Sequence, residues 1–391
     1  MKVAVIGQGY VGLPLAIAAV HGGHLVTGID TDKKLIQLLD ARLSPIEDVS
    51  DTDIEEALNT RRFSVSSDFQ TLKNAEIIII CVPTPLYASG EPNFAYLESA
   101  VLSASKNLAN DALVIIESTV SPGTTRGLVA DLLKNSGVEH HLAYSPERID
   151  PTNIKWNIVN TPKLVAGITN EATKRATKFY ESFIDRVIPY SSIEVVETAK
   201  LLENSYRLIN ISFINEIAEF CWKMNIDVRD VIDAASTKPY GFMPFYPSIG
   251  VGGHCIPVDP SYLTSKAKEV GASTKFIDLA NNINHSLPSY FTGVATGILG
   301  NLKGKKIVVV GVAYKPNISD VRETPAFSLI EALRSGGADV SWHDELVKEW
   351  RGEKSTLLTS QFDLAILANP HTGTDLSKLG SVRILDARGG Y

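Results

Sequence analysis

A cysteine in a glycine-rich segment is the residue of this chain best suited to covalent chemistry. Residues 250–260 have the sequence GVGGHCIPVDP, so Cys255 follows three glycines and Asp259 stands four residues after it. Glycines let a backbone approach a ligand closely, and an accessible thiol beside positive charge can ionise to a nucleophilic thiolate. Cys81, within an apolar strand, and Cys221, on a predicted helix, are instead typical of buried structural cysteines. We therefore predict that Cys255 is a catalytic nucleophile.

A polar pair on a predicted helix could support such chemistry. From about residue 191 to residue 224, apolar residues recur every three or four positions, which predicts one long helix. Lys200 and Asn204 are four residues apart and therefore share a face of that helix. A cation and an amide donor on one face can stabilise an oxyanion. The same pair is also common on a solvated helix surface, so spacing alone leaves both interpretations open.

Three glycines near the start of the chain form a second candidate site. Gly7, Gly9 and Gly12 give the pattern GxGxxG directly after the strand-like KVAVIG and before an apolar helix, and Asp30 ends the next strand. In this setting the first glycine permits a tight turn, the second lets the backbone approach a pyrophosphate, and the third lets helix and strand pack closely. The helix N-terminus adds amide donors for phosphates. The pattern predicts a dinucleotide site.

Asp30 determines which dinucleotide we expect. Its carboxylate should bind the adenosine ribose hydroxyls and repel a 2′-phosphate, so we predict NAD rather than NADP. Lys33 and Lys34 weaken this preference, although they are also ordinary residues for a solvated helix. We assign Lys34 to the cofactor site together with Tyr10 and Val11, which lie between the second and third glycines.

Polar residues also follow several other strands in the first half of the chain. Ligands of open sheets bind beyond the carboxyl ends of the strands, and three segments lie there, residues 82–85, 118–119 and 145–148. A side chain at a strand end faces the cleft rather than the core, which favours functional roles for Thr119 and Glu147. The prolines are equally well explained by loop rigidity. The predicted cofactor contacts at these strand ends are Val82, Pro83, Thr84, Ser118 and Thr119.

The elements that must position these residues predict an α/β protein. From residue 2 to about residue 145, and again after residue 302, short apolar runs alternate with longer amphipathic segments, which is typical of βα units that build a parallel sheet. We predict two Rossmann-like, doubly wound parallel-sheet domains joined by a central long-helix region. The predicted boundaries are 1–190 for an N-terminal dinucleotide-binding domain, 191–300 for a central helical region with the cysteine loop, and 301–391 for a C-terminal domain.

Composition argues against several other classes of protein. The formal net charge of −7 and the lack of a Lys/Arg-rich run argue against a nucleic-acid partner. No stretch approaches the roughly 18 apolar residues that a membrane span needs, and no leader precedes the first strand. Three widely separated cysteines favour a reducing compartment over a disulfide framework, so we predict a cytoplasmic protein. The sequence predicts no metal site.

The motifs together resemble those of the UDP-glucose/GDP-mannose dehydrogenase family of nucleotide-sugar dehydrogenases. The resemblance spans almost the whole chain and rests on the segments KVAVIGQGYVGLPLA, CVPTP, ESTVSPGTT, SPERIDP, ETAKLLENSYRLINISFINEIA, GVGGHCIPVDP, GVAYKPNISDVRETP and LDARG. It implies an N-terminal NAD-binding domain, a central helical region that forms a homodimer, and a C-terminal domain that binds the nucleotide-sugar. The implied reaction is a four-electron, NAD-dependent oxidation of the C6 hydroxymethyl of a UDP-sugar to a carboxylate, through a thiohemiacetal and a thioester on Cys255.

The resemblance also implies roles for individual residues. The implied nucleophile is Cys255, and the implied oxyanion donors are Lys200 and Asn204. Three further residues are implied to position or activate water, and they are Thr119, Glu147 and Asp259. Arg322 resembles a cofactor-contacting arginine of the family. The implied substrate contacts are Glu147, Arg148, Lys200, Asn204, Phe245, Tyr246, Gly252, Lys315 and Arg388.

The substrate branch and two rival functions complete the expectations. Residues 237–263 look most like the UDP-N-acetylglucosamine 6-dehydrogenase branch, so UDP-N-acetylglucosamine is the first predicted substrate, before UDP-N-acetylmannosamine and UDP-glucose. The chain departs from the UDP-glucose branch after Glu147, where Pro151 replaces a second acid and Asp150 precedes it. One rival is a two-electron hydroxy-acid dehydrogenase in which Lys200 and Asn204 do the chemistry. The other is a non-catalytic nucleotide sensor with the same fold.

Overall fold

The computed structural model describes residues 1–46, 48–150, 153 and 155–389. The chain divides into two compact units, Met1–Leu202 with Ser261–Val270 (unit 1) and Glu203–Pro260 with Gly271–Tyr391 (unit 2). Each unit has its own parallel sheet and its own hydrophobic core. Pro151, where the chain departs from the UDP-glucose branch, lies outside the described residues.

Unit 1 is built on a mostly parallel sheet. Its described strands are β1 (Lys2–Ile6), β2 (Leu25–Ile29), β3 (Phe63–Ser66), β4 (Ile77–Ile80), β5 (Ala112–Ile116), β6 (His140–Tyr144), β7 (Lys163–Gly167) and β8 (Val187–Pro189). In space they follow the order β3-β2-β1-β4-β5-β6-β7-β8, and β7 runs antiparallel to β6. The order 3-2-1-4-5-6 is that of a doubly wound dinucleotide-binding sheet. The predicted Rossmann-like fold is therefore confirmed in this unit.

Helices cover both faces of this sheet. They are α1 (Gly12–His21), α2 (Lys33–Asp40), α3 (Asp51–Asn59), α4 (Ala95–Ser105), α5 (Ala130–Leu133) and α6 (Asn170–Tyr180), with short 3-10 turns at Phe69–Asn74 and Lys134–Ser136 and a π-helical turn at Thr125–Val129. Alternate residues of each strand enter opposite core clusters. Val3 and Val5 pack with α1 and α6 on one face, and Ala4 and Ile6 pack with α4 on the other. Burial on both faces explains why the strands are continuously apolar.

The central part of the chain is helical, as predicted. The periodic segment forms a single helix, α7 (Ile193–Lys223), in which Lys200 belongs to unit 1 and Asn204 to unit 2. It is followed by α8 (Val228–Ser236), α9 (Asp259–Glu269) and α10 (Lys275–Leu299). Between α8 and α9, residues 240–258 contain neither helix nor strand, which agrees with a loop around the predicted cysteine segment. None of the described helices is both long and apolar enough to cross a membrane.

Unit 2 carries a second, smaller parallel sheet. In chain order its elements are β9 (Lys306–Val310), α11 (Pro325–Ser335), β10 (Asp339–His343), β11 (Glu349–Trp350), β12 (Glu353–Lys354), β13 (Leu364–Leu367) and β14 (Arg383–Asp386), with a 3-10 turn at Leu376–Leu379. The main sheet has the order β10-β9-β13-β14, and β11 and β12 form a separate antiparallel pair. A second α/β sheet is therefore confirmed. The boundaries of the three predicted regions stay a prediction.

Candidate active site

The glycine turn after β1 has the geometry that a nucleotide site requires. Gly7 has a φ of +93°, and a Cβ at this residue would lie 2.5 Å from the carbonyl oxygen of Cys81. A Cβ at Gly12 would lie 1.8 Å from the carbonyl oxygen of Gly7. A side chain therefore cannot be accommodated at either position without moving backbone. Among the described residues, a Cβ at Gly9 would meet nothing within 4 Å, so this glycine borders space that a ligand can enter.

Asp30 is fixed beside this turn at the end of β2. Its Oδ2 accepts a hydrogen bond from the Gln8 N–H at 2.8 Å, and its Oδ1 accepts one from the Asp32 N–H at 2.9 Å. Tyr10 and Val11 are half-buried against the core, whereas Lys34 is exposed in the first turn of α2. A turn with open space at its second glycine and a half-buried acid at the next strand end fits the pyrophosphate and ribose of NAD.

The loops after β4 and β5 are held together by hydrogen bonds. The Ser118 hydroxyl donates to the Val82 carbonyl at 2.8 Å, which joins two of the predicted cofactor segments. Pro83 is exposed, and Thr84 and Thr119 are half-buried. The fully buried Tyr262 donates its hydroxyl hydrogen to the Thr84 carbonyl at 2.8 Å. Tyr262 was not predicted, because an aromatic residue in a helix looks like any other core residue in the sequence.

Glu147 has one fixed and one unsatisfied carboxylate oxygen. Its Oε1 accepts hydrogen bonds from the N–H groups of Arg148 at 2.5 Å and Ile149 at 2.6 Å. Its Oε2 is buried and, within the part of the chain that the structure describes, has no hydrogen-bond partner. The Arg148 guanidinium donates to the Pro162 carbonyl at 2.8 Å. An oriented carboxylate with one oxygen that accepts no hydrogen bond is suited to accept a proton.

A buried charge cluster that the sequence did not reveal lies next to Glu147. Lys163 Nζ donates to Glu117 Oε2 at 2.6 Å and lies 3.7 Å from Glu147 Oε2, and the Tyr180 hydroxyl donates to Glu117 Oε1. Because β7 is antiparallel to β6, its first residue, Lys163, reaches the carboxyl end of β6. Burial raises the pKa of Glu117, although Lys163 opposes this. The pKa of Lys163 is also raised, because Glu117 and Glu147 outweigh its burial.

Cys81 lies in the field of this cluster. Burial raises the pKa of its thiol well above the usual value, and the carboxylate of Glu117 adds to this effect. The thiol therefore stays protonated at neutral pH, and a protonated thiol is a poor nucleophile. This agrees with the structural role predicted for Cys81. Cys221 is buried as well, whereas Cys255 is exposed.

In unit 2 the cysteine loop, Asp259 and Asn204 form one group. The Asp259 N–H donates to the Cys255 carbonyl at 2.8 Å, so the loop turns directly into α9. The Asp259 side chain is buried, and its Oδ2 accepts a hydrogen bond from Asn204 Nδ2 at 2.5 Å. Asn204 is thus oriented by a carboxylate and keeps a second amide hydrogen for another acceptor. Lys200, one turn earlier in α7, is buried in unit 1.

The glycines of the cysteine loop pack against a later segment of unit 2. A Cβ at Gly252 would lie 2.6 Å from the Glu323 carbonyl oxygen and 2.8 Å from the Tyr314 Cβ. The Gly253 N–H donates to the Arg322 carbonyl at 3.1 Å. The space that a side chain would need is therefore filled by residues 314–325 rather than left for a ligand. The predicted contact of Gly252 with substrate stays a prediction.

The other predicted substrate residues are dispersed over unit 2. Phe245 is half-buried, with its ring centroid 5.8 Å from that of Tyr206, whereas Tyr246 is exposed. Lys315 is half-buried in the loop after β9. Arg322, the predicted cofactor contact, forms two-pronged hydrogen bonds with Asp320, from Nε to Oδ1 at 2.8 Å and from a terminal nitrogen to Oδ2 at 2.5 Å.

Arg388 is part of a two-arginine group that was not predicted in full. Its Nε and a terminal nitrogen donate to Asp386 at 2.8 and 2.9 Å, and Arg229 donates to the same carboxylate at 3.0 Å. Although burial alone would raise the pKa of Asp386, the two guanidinium groups hold it below its ordinary value. One net positive charge therefore remains in the group, which suits a phosphate or a carbonyl-rich base. Arg229 is distant in sequence, and nothing local links it to Arg388.

The two units define a class of protein. A Rossmann-type sheet with this glycine turn, followed in the chain by an exposed cysteine beside an oriented carboxylate and amide, is typical of a dinucleotide-dependent dehydrogenase with a covalent nucleophile. The models of three domains of one family match successive parts of the chain. They are the NAD binding domain at residues 1–184, the central domain at 194–286 and the UDP binding domain at 308–378. The chain belongs to the UDP-glucose/GDP-mannose dehydrogenase family and is an NAD-dependent nucleotide-sugar dehydrogenase.

Individual relatives agree with this assignment. The chain is 34% identical over 383 residues to UDP-N-acetyl-D-mannosamine dehydrogenase of Pyrococcus horikoshii, with 95% of this chain and 90% of the relative covered. It is 32% identical over 390 residues to UDP-N-acetyl-D-glucosamine 6-dehydrogenase of Salmonella typhi, with the same coverage of 95% and 90%. The solved structure of the UDP-D-ManNAc dehydrogenase from Pyrococcus horikoshii superposes with a TM-score of 0.92 at 32% identity, covering 99% of this chain and 95% of that one.

Proposed function

We propose that this enzyme oxidises the C6 hydroxymethyl of a UDP-N-acetylhexosamine to the corresponding uronic acid through a covalent intermediate on Cys255. The observation that supports this most directly is the group formed by Cys255, Asp259 and Asn204 in unit 2. It combines an exposed thiol with an amide whose orientation is fixed by a buried carboxylate. Such a combination serves covalent chemistry at a carbonyl carbon.

The chain's own residues account for the chemical steps. NAD, when bound at the glycine turn, supplies the hydride acceptor for each of the two oxidations. In the first oxidation the C6 hydroxymethyl loses a proton to a base and a hydride to the bound acceptor, which leaves an aldehyde. The Cys255 thiolate Sγ then bonds to C6 of this aldehyde, and the carbonyl oxygen becomes an oxyanion. The second amide hydrogen of Asn204 stabilises that oxyanion, and Lys200 has the same role by resemblance to the family. Loss of hydride from this thiohemiacetal leaves a thioester.

Hydrolysis of the thioester needs a base. Glu147 has one oxygen fixed by two backbone N–H groups, and its second oxygen accepts no hydrogen bond within the described structure and lies 3.7 Å from Lys163 Nζ. We assign it the proton that water loses as its oxygen bonds to C6, the C–S bond breaks and the Cys255 thiolate leaves. Asp259 orients Asn204, and Thr119 assists in placing the water, as the family resemblance implies.

The hexosamine is the finer part of the proposal. The sequence around residues 242–247 favours UDP-N-acetylglucosamine, whereas relatives named for UDP-N-acetyl-D-mannosamine and for UDP-N-acetyl-D-glucosamine are similar in identity to this chain. We therefore keep UDP-N-acetylglucosamine first, UDP-N-acetylmannosamine second and UDP-glucose third. Initial rates of NADH formation with these sugars and GDP-mannose test the order. Exclusive turnover of UDP-glucose would overturn it.

The covalent route is tested by Cys255→Ser. Serine keeps the shape of the side chain but is a far weaker acid and nucleophile than a thiol of pKa about 8.5. We expect formation of the acid to collapse while UDP-sugar and NAD still bind, and intact-protein mass spectrometry should detect any slowly hydrolysed ester. Cys221→Ser is the matched control and should retain turnover. Near-normal acid formation by Cys255→Ser would show that Cys255 is structural.

Product analysis separates the rival functions. The proposed enzyme consumes two NAD for each sugar and releases no free aldehyde. A two-electron hydroxy-acid dehydrogenase would form one NADH for each product, and a nucleotide sensor would show no turnover. Quantifying NADH against the uronic acid by mass spectrometry in a completed reaction distinguishes all three.

A homodimer through α7 is part of the proposal. Three aromatic residues recur at every seventh position of this helix, and they are Tyr206, Phe213 and Phe220. They are 46%, 57% and 58% exposed in the single chain. Aromatic residues repeated on one helix face form an apolar stripe that a second copy of the helix can cover. We also propose a cytoplasmic location, which rests on the cysteine content and composition of the chain and is testable by cell fractionation.

A further inference from the structure

Two residues that the proposed function does not use form a buried pair in unit 2. Asp344 follows β10, His371 follows β13, and His371 Nε2 lies 2.7 Å from Asp344 Oδ1. Their side chains are 0% and 5% exposed. The Asn317 N–H donates to His371 Nδ1 at 2.8 Å. Because Nδ1 accepts a hydrogen bond and Nε2 faces a carboxylate, the network defines a neutral imidazole with its hydrogen on Nε2.

The carboxylate of Asp344 holds the imidazole rigidly. Its Oδ2 accepts hydrogen bonds from the N–H groups of Val312 at 2.9 Å and Ala313 at 3.3 Å. Its Oδ1 accepts those of Leu346 and Val347, both at 2.9 Å. Glu345 also offers an oxygen within 4.8 Å of the ligand atoms of Asp344 and His371. Backbone hydrogens already occupy the lone pairs of Asp344, however, so the group is suited to positioning rather than to holding a cation.

The pair is connected to the loop that carries Lys315. Asn317, two residues later, has a φ of +67°, a left-handed conformation that non-glycine residues adopt at a cost. Its side chain is paired with Thr372, with Asn317 Nδ2 donating to Thr372 Oγ1 at 3.0 Å and the Thr372 N–H donating to Asn317 Oδ1 at 2.8 Å. Together with the bond to His371, these contacts hold the backbone of the loop in one conformation.

We propose that His371 is a positioning residue for nucleotide-sugar binding, because its neutral imidazole, anchored by Asp344, fixes the loop that presents Lys315. The inference rests on the proposed function, in which Lys315 contacts the substrate. His371 itself touches the loop backbone and not the substrate. Its effect should therefore appear in the KM for the nucleotide-sugar, with kcat and the KM for NAD little changed.

The mechanism gives a definite dependence on pH. Protonation of His371 replaces the acceptor at Nδ1 by a hydrogen that faces the Asn317 N–H, and the loop is released. In the described structure the charged groups that act on this imidazole are Asp344 and Glu345, whereas Asn317 and Thr372 offer uncharged contacts. The hydrogen bond to Asp344 raises the pKa of His371, against the effect of burial. The loop is therefore held above that pKa, and the KM should rise as pH falls through it.

Two substitutions separate the two nitrogens of the imidazole. In His371→Asn the amide oxygen can replace the Nδ1 acceptor, but this side chain does not titrate. In His371→Gln the amide nitrogen can replace the Nε2 donor, but the Asn317 N–H is left without its acceptor. We expect His371→Gln to raise the KM for the nucleotide-sugar on the order of tenfold, the effect of one lost hydrogen bond. His371→Asn should keep a KM near that of the wild type, without the rise at acidic pH.

The measurement is the KM for the nucleotide-sugar from about pH 5 to pH 8, with calorimetric binding of UDP as a second readout. An acidic rise that persists in His371→Asn, or a KM in His371→Gln equal to that of the wild type, would overturn the inference. The pH profile of His371→Asn is decisive even if His371→Gln folds poorly. Lys315→Ala tests the premise separately. If Lys315→Ala leaves the KM for the nucleotide-sugar unchanged, the substrate role of Lys315 is refuted. If Lys315→Ala raises this KM while the His371 variants keep the KM and pH profile of the wild type, only the role of His371 is refuted.

Discussion

The substitution Lys163→Met removes the cation from the buried cluster of unit 1 while nearly keeping the volume of the side chain. In the wild type, Lys163 Nζ lies 2.6 Å from Glu117 Oε2, and the two side chains are 5% and 0% exposed. Removal of one partner from a buried ion pair costs about 3–5 kcal/mol, because the other charge is left uncompensated. Glu117 keeps the hydroxyl of Tyr180 as a donor, so we expect a loss of about 3 kcal/mol in the free energy of unfolding at neutral pH.

The loss should depend on pH in a known direction. Burial already raises the pKa of Glu117, and Lys163 opposes that effect. Without Lys163 the folded protein therefore holds a proton on Glu117 at pH values where the unfolded chain has released it. A carboxyl whose folded pKa is raised loses stability as pH rises from the unfolded pKa to the folded pKa. The difference between variant and wild type should accordingly be largest at neutral pH and shrink on acidification.

Urea unfolding followed by tryptophan fluorescence and circular dichroism measures the effect, with the transition of unit 1 fitted separately because two units need not unfold together. The control is the double variant Glu117→Gln/Lys163→Met, which removes both charges and should recover most of the lost stability. If the single variant lies within about 1 kcal/mol of the wild type at neutral pH, or if the double variant is no more stable than the single one, the cluster does not act as a compensated pair.

Three further predictions concern the nucleotide turn, the choice of cofactor and the dimer. Gly12→Ala should destabilise unit 1, because the added Cβ would lie 1.8 Å from the Gly7 carbonyl oxygen. Gly9→Ala should leave the thermal stability unchanged but weaken NAD binding, as measured by calorimetry. Equal effects of the two on stability would contradict the geometry. Asp30→Ala should lower the ratio of kcat/KM for NAD to that for NADP, and an unchanged ratio would assign the preference elsewhere. If the proposed dimer forms through α7, Phe213→Glu should convert it to monomers in light scattering, while Glu219→Gln on the same helix should not.

Local patterns in the sequence were sufficient for much of the fold. The apolar strand before Gly7, the helix that begins at Gly12 and the acid at position 30 lie within one βαβ unit, so short-range spacing specifies their arrangement. The periodicity of α7 likewise specified a single helix. The cysteine loop was recognised because glycines and prolines exclude regular structure there.

Contacts between distant segments explain what could not be predicted. Lys163 and Glu117 are 46 residues apart, and they meet because β7 runs antiparallel to its neighbour, a reversal that an apolar pentapeptide does not encode. Tyr262 reaches the Thr84 carbonyl across 178 residues. In the sequence, Lys163 is only a charged residue at the start of an apolar run, and nothing nearby indicates its partner. The packing of Gly252 against residues 314–325 could not be predicted for the same reason, because that segment lies far along the chain.

The glycine turns of the two sheets differ in the space that they leave for a ligand. The turn after β9 begins with Gly311, which has a φ of +81° and is as crowded as the first glycine of unit 1, since a Cβ there would lie 2.1 Å from the Asn369 carbonyl carbon. The second and third glycines, however, are replaced by Ala313 and Pro316. The backbone turn is kept, but the open approach to a pyrophosphate and the helix start are not.

The acids at the ends of the second strands differ in the same way. Asp30 accepts one hydrogen bond on each oxygen, from Gln8 and Asp32, and stays half-buried. Asp344 is buried and accepts four backbone hydrogens together with that of His371. A carboxylate in the first state can still receive ribose hydroxyls, whereas one in the second state has its lone pairs occupied by the protein. We therefore expect the aspartate after the second strand to serve ligand recognition in the first sheet and loop anchoring in the second.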